Sequence, residues 1–182
     1  MSRLGPEREQ PLPLPLEARP FQGVAAIIVD RSTNLIYTVV ETTNRPDYGK
    51  EAGMRTHPME TFDIGQTEDQ ALSQLFKQEV HETLTIIRTE LIGYYGINIA
   101  AVRLFLVQTE RIGSKNGAGL NHNWNGQEVR DPKWMKPEDL IREKVRMGVS
   151  EMVEDYLVGK RNVRRECKPV PLGLNYTNGS NR

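Results

Sequence analysis

A single cysteine, Cys167, is the chain's entire thiol content. That excludes an intramolecular disulfide framework and any cysteine-rich zinc or iron–sulfur centre. No apolar run approaches the roughly 18 residues of a membrane-spanning helix, so no membrane partner is expected. The N-terminus opens on charge and proline rather than on a basic patch followed by an apolar stretch. No secretory signal is therefore expected, and a cytoplasmic location is the default. An excess of one charge is also lacking, since 24 Lys and Arg balance 24 Asp and Glu. Proteins that live on nucleic-acid phosphates carry a basic excess, so nucleic acid is a disfavoured partner. No Walker loop, dinucleotide fingerprint or Gly-x-Ser-x-Gly elbow occurs.

What is present suits one domain with two polar ends. The chain has 182 residues, 37% of them apolar and gathered in blocks. Residues 1–20 hold Pro6, Pro11, Pro13, Pro15 and Pro20, a density that prevents a helix and predicts an extended arm. The run 21–30 ends in the turn signal Asp30–Asn34, and 35–42 returns as a second β-rich run, which predicts a hairpin. Residues 43–58 read as a long polar loop. From Glu68 to Thr83 there is no Pro or Gly. There Ala71, Leu72, Leu75, Phe76 and Val80 recur at helical spacing, with Thr67 as the cap. Strand signals follow in 84–97 and 102–111, then a Gly- and Asn-rich loop over 113–127. Pro137 then opens a second helix predicted over 138–158, with Val145, Val149, Met152 and Val153 on its apolar face. From Lys160 onward the tail is basic and expected to be solvated, with six Lys or Arg against Glu166. Strands alternating with helices in this order predict a mixed sheet covered by two helices.

The order of elements and the residues around the first helix resemble a Nudix hydrolase domain over residues 21–158. Pro58-Met59-Glu60 falls on the opening Pro-Gly-Gly of the family signature, and Gly65-Gln66 on its Gly-Glu. The segment Gln74-Leu75-Phe76-Lys77-Gln78-Glu79 falls on its Arg-Glu-aliphatic-any-Glu-Glu. His81 stands where the closing glycine belongs. The resemblance implies an α/β fold, a Nudix-like α/β/α sandwich whose mixed β-sheet is flanked by two main helices. It implies Mg2+ or Mn2+ as cofactor if the domain is active, held by carboxylates that let water attack the pyrophosphate of a nucleoside diphosphate derivative. The acidic set departs from the family: Gln66, Gln74, Leu75 and Gln78 replace charged residues, and Glu79 alone remains.

Several residues are therefore candidates rather than matches. Positions 75, 78, 79 and 82 share one face if the helix runs on, which places Glu82 one turn below Glu79. Glu79 and Glu82, with Glu60, Asp63 and Glu128 from the flanking loops, form a candidate displaced metal site; the plainer alternative is a solvated acidic helix face. His57 is expected at the mouth of the pocket, as a base or phosphate contact or simply as an exposed loop histidine. Arg55 and Lys50 are candidate phosphate contacts in the same loop. Trp124 and Asn123 are candidates to stack on and read a planar group, while Trp134 is expected in the core. Three functions follow: a divergent hydrolase, a silent domain that binds a nucleotide-like small molecule, or a scaffold acting through a protein partner or homodimer.

Overall fold

The computed structural model describes residues 14–111 and 128–168. An eight-stranded mixed sheet is its centre. The strands are β1 (Phe21–Asp30), β2 (Ile36–Glu41), β3 (Arg55–Thr56), β4 (Met59–Thr61), β5 (Leu84–Ile97), β6 (Ala100–Arg111), β7 (Val129–Met135) and β8 (Val163–Glu166). They lie in the order β3-β2-β1-β6-β5-β8, with β4 paired to β1 and β7 to β2. The pairs β1–β6 and β5–β8 are parallel and the others antiparallel. Because side chains alternate across a strand, β1 supplies both layers of the core. Val24, Ala26 and Ile28 face α1 (Glu68–Glu79), while Ala25, Ile27 and Val29 face α3 (Val149–Leu157). This is the α/β/α sandwich expected from the sequence.

The hairpin forms as expected, with Val29 opposite Ile36. Its turn is held by Asp30, whose carboxylate accepts from Ser32 N at 3.1 Å and Thr33 Oγ1 at 2.7 Å. Helix α1 starts with a capping box in which Thr67 accepts from Gln70 N and the Gln70 side chain answers at the Thr67 N–H. It buries Ala71, Leu75 and Glu79, a stripe at four-residue spacing. Glu79 is its last residue, and Val80 beyond it is extended.

Two expectations are corrected. The second helix is broken: a single turn, α2 (Pro137–Leu140), and then α3. Between them the chain runs back along β3, where Val145 bridges Arg55. Gly148 at φ 89°, left-handed backbone that favours glycine, turns the chain into α3. The described part of the tail is also less free than expected. β8 adds a strand to β5 and Cys167 is buried, while Leu16 and Arg19 of the arm are buried against the sheet. Arg19 donates to Asn98 O at 2.9 Å and Ala100 O at 3.0 Å and pairs with Glu166, so arm and tail clasp each other. Among the described residues no helix is long and apolar enough to cross a membrane.

Candidate functional site

The site grows from the end of β2. Its last residue, Glu41, carries a carboxylate into the interior of the loop that follows and is 1% exposed. Burial of that charge demands partners. Lys50 Nζ lies 2.8 Å from Oε2, and Arg146 Nη1 lies 2.9 Å from Oε1. Arg146 also donates to Tyr48 O at 3.3 Å. Gly49 makes this meeting of distant segments feasible. Its φ is 61°, and a Cβ there would fall 2.4 Å from Met147 Cβ. The missing side chain lets Met147 N donate to Gly49 O at 3.1 Å, which sets Lys50 and Arg146 side by side.

Above this floor opens a cavity of about 330 Å3. Arg45, Lys50 and Arg146 supply its positive side, and Glu60 and Glu128 its negative side. Phe21 and Tyr48 stand at its apolar lip, edge to face with ring centroids 5.1 Å apart. Burial, followed by the nearby Glu128 carboxylate, pushes Glu60 up to about 7, so it is partly protonated at neutral pH. Glu79 lies behind Met59 and is 4% exposed. Its Oε2 accepts from Met59 N at 2.8 Å. Burial and then the Glu41 charge raise its pKa well above the usual carboxylate range.

The structure thus brings Lys50, Glu60 and Glu128 of the sequence-derived candidates to one cavity, with Glu79 beneath. Others stand elsewhere for identifiable reasons. Helix α1 ends at Glu79, so Glu82 leaves the shared face and is held by Trp134 Nε1 at 2.9 Å and Arg111 Nε at 3.0 Å. Asp63 is exposed and borders a separate open groove with Gln74 and Gln78. His57 is fully buried rather than at a mouth, and neither ring nitrogen has a partner among the described residues. Burial, aided by the Arg146 charge, lowers it to about 3, so it is neutral at physiological pH. Arg55 is buried and structural. It bonds Asp131 Oδ2 at 2.7 Å and Glu143 Oε2 at 2.8 Å, joining β3 to β7 and to the chain after α2. Trp134 packs against Tyr37. Trp124 and Asn123 lie outside the described residues.

Sequence reasoning missed Glu41, Arg45, Tyr48 and Arg146. The one local signal for them was a charged residue, Glu41, closing a strand that is mostly apolar and buried throughout.

These residues do not fit a divalent metal of the kind the resemblance implies. Leu75 is fully buried in the core, and Glu79 is committed to a backbone amide. Glu82 is pinned outside the cavity, and Glu41 already faces two cations. Among the described residues no three His, Cys, Asp or Glu side chains are grouped to hold an ion.

No protein-family model matches the sequence, and no curated protein matches it. Solved structures do share the fold. A NUDIX hydrolase from Nitrosomonas europaea is 14% identical with a TM-score of 0.58, over 81% of this chain and 78% of that one. An ADP-ribose pyrophosphatase from Streptococcus suis is 14% identical with a TM-score of 0.51, over 81% and 98%. The NUDIX domain of Shewanella oneidensis NrtR, complexed with ADP ribose, is 11% identical with a TM-score of 0.50, over 75% and 86%. The architecture is therefore that of a Nudix-like α/β/α sandwich.

Proposed function

We propose that the domain binds a nucleotide-like phosphorylated small molecule in the Lys50–Arg146 cavity, and that binding rather than metal-dependent hydrolysis is its activity. The observation that carries this reading is the composition of one cavity, which joins three cations to an aromatic pair. Cations lining a cavity suit phosphate oxygens, and aromatic rings beside them suit a planar base. Leu75 replaces one carboxylate, and Glu79 and Glu82 are engaged elsewhere, which leaves only Glu60 and Glu128 on the cavity wall and disfavours the hydrolase. Two structurally similar proteins are named for ADP-ribose, as its pyrophosphatase and as its complex, so that compound is the first probe.

Calorimetric titration with ADP-ribose and with inorganic pyrophosphate tests the reading, beside a product assay in Mg2+ and Mn2+. Saturable ADP-ribose binding without formation of AMP is the expected result. Tyr48→Ala is expected to weaken ADP-ribose several-fold and to leave pyrophosphate unaffected. Turnover in either metal would restore the hydrolase reading, and absence of binding would remove the nucleotide-like one.

A further inference from the structure

We propose that Lys50 and Arg146 stand in for a divalent metal in this fold, so that the cavity binds a diphosphate-bearing ligand through built-in cations and without an ion. The proposal rests on the nucleotide-like reading above and adds how the ligand's charge is met. A divalent ion at a diphosphate site does two things: it neutralises crowded carboxylates and it presents positive charge to phosphate oxygens. Side chains do both here.

Glu41 sits between the two cations at 2.8 Å and 2.9 Å, so two positive charges face one buried negative charge and the floor is net positive. The Lys50 charge also favours the ionised forms of Glu60 and Glu79. Burial outweighs that effect at both residues, and Glu41 is the carboxylate this ammonium pairs with. Magnesium requires near-octahedral oxygens at about 2.0–2.1 Å. An ammonium beside the same carboxylates excludes it by both volume and charge. Lys50 Nζ is paired with Glu41 Oε2 at 2.8 Å. An ammonium carries three donors, so this one pairing leaves others for a phosphate. The contact of Gly49 with Met147 holds both cations in place before any ligand arrives.

The test is titration of ADP-ribose into the full chain in EDTA and again in Mg2+, with Mn2+ alone titrated separately. Equal affinity within about twofold in EDTA and Mg2+, with no saturable Mn2+ binding, is expected. Lys50→Ala should lose at least about tenfold in EDTA, the scale of a lost charge-assisted hydrogen bond. Lys50→Arg should regain part of the affinity. ADP-ribose binding seen only with Mg2+, or saturable Mn2+ binding to the parent protein, would overturn the proposal and leave the nucleotide-like reading standing. If ADP-ribose does not bind under either condition, both fall. The parent titrations decide the matter even if Lys50→Ala does not fold.

Discussion

Glu60 is the residue whose charge state is most open to change. Its pKa is raised by burial and by Glu128 to about 7. A carboxyl raised on folding favours the folded state fully below its unfolded value, and that contribution is lost as pH rises through the folded value. The parent protein should therefore lose stability between about pH 4.5 and pH 7 through this group. Glu60→Gln removes the loss. Thermal melts should show the variant more stable than the parent at pH 8 by about 2 °C, with the gap narrowing at pH 5. The same charge faces the ligand. ADP-ribose keeps a fixed diphosphate charge across this range, so its affinity should fall as pH rises from 6 to 8, and Glu60→Gln should flatten that dependence. A parent profile that is already flat would remove Glu60 from the cavity's electrostatics.

At the scale of elements, periodicity reads well where a stripe is continuous. Ala71 and Leu75 announced the buried face of α1, and the apolar run 21–30 announced a strand, though not that it has a core on each side. The period failed where a helical-looking stripe crosses a break. Val145, Val149 and Met152 repeat as though on one helix, yet Gly148 in the left-handed region separates the first from the others. Glu82 went astray for the related reason that α1 stops at Glu79. The floor of the cavity was illegible because Glu41 and Arg146 are 105 residues apart in sequence. Backbone bonds of the Arg146 segment to Arg55 and to Gly49 bring them together, the latter through the close approach of Gly49 to Met147. Gly49→Ala should therefore weaken ADP-ribose more than a change in the exposed turn at Gly53, where a Cβ meets nothing within 4 Å. Leu75→Ala should cost about 2–5 kcal/mol in a urea melt, as for a fully buried leucine, and should not alter metal response. A stability loss below about 1 kcal/mol would place Leu75 at the surface, as a ligand position would require.

The whole molecule is charge-balanced, but its charges are not evenly used. Opposite charges are spent where the chain ends meet the sheet: Arg19 on Glu166, Arg164 on Glu17, and Asp155 on Lys160 and Arg165. The basic tail looked like a solvated appendage because composition alone records its polarity. The positions of Arg19 and of β8 beside β5 depend on partners far along the chain. Arg19→Ala would leave Asn98 O, Ala100 O and Glu166 without their donor. It should destabilise the domain by about 1–3 kcal/mol in urea while leaving ADP-ribose affinity intact. A change in affinity would show that the clasp and the cavity are coupled.

The central claim is that the positive floor built on Glu41 receives the ligand's phosphates. A crystal structure of the protein with ADP-ribose, grown in EDTA, tests it most directly. The account requires a diphosphate oxygen within hydrogen-bond distance of Lys50 Nζ and the base near Tyr48. A diphosphate lodged instead in the groove of Asp63, Gln74 and Gln78, away from Lys50, would contradict it.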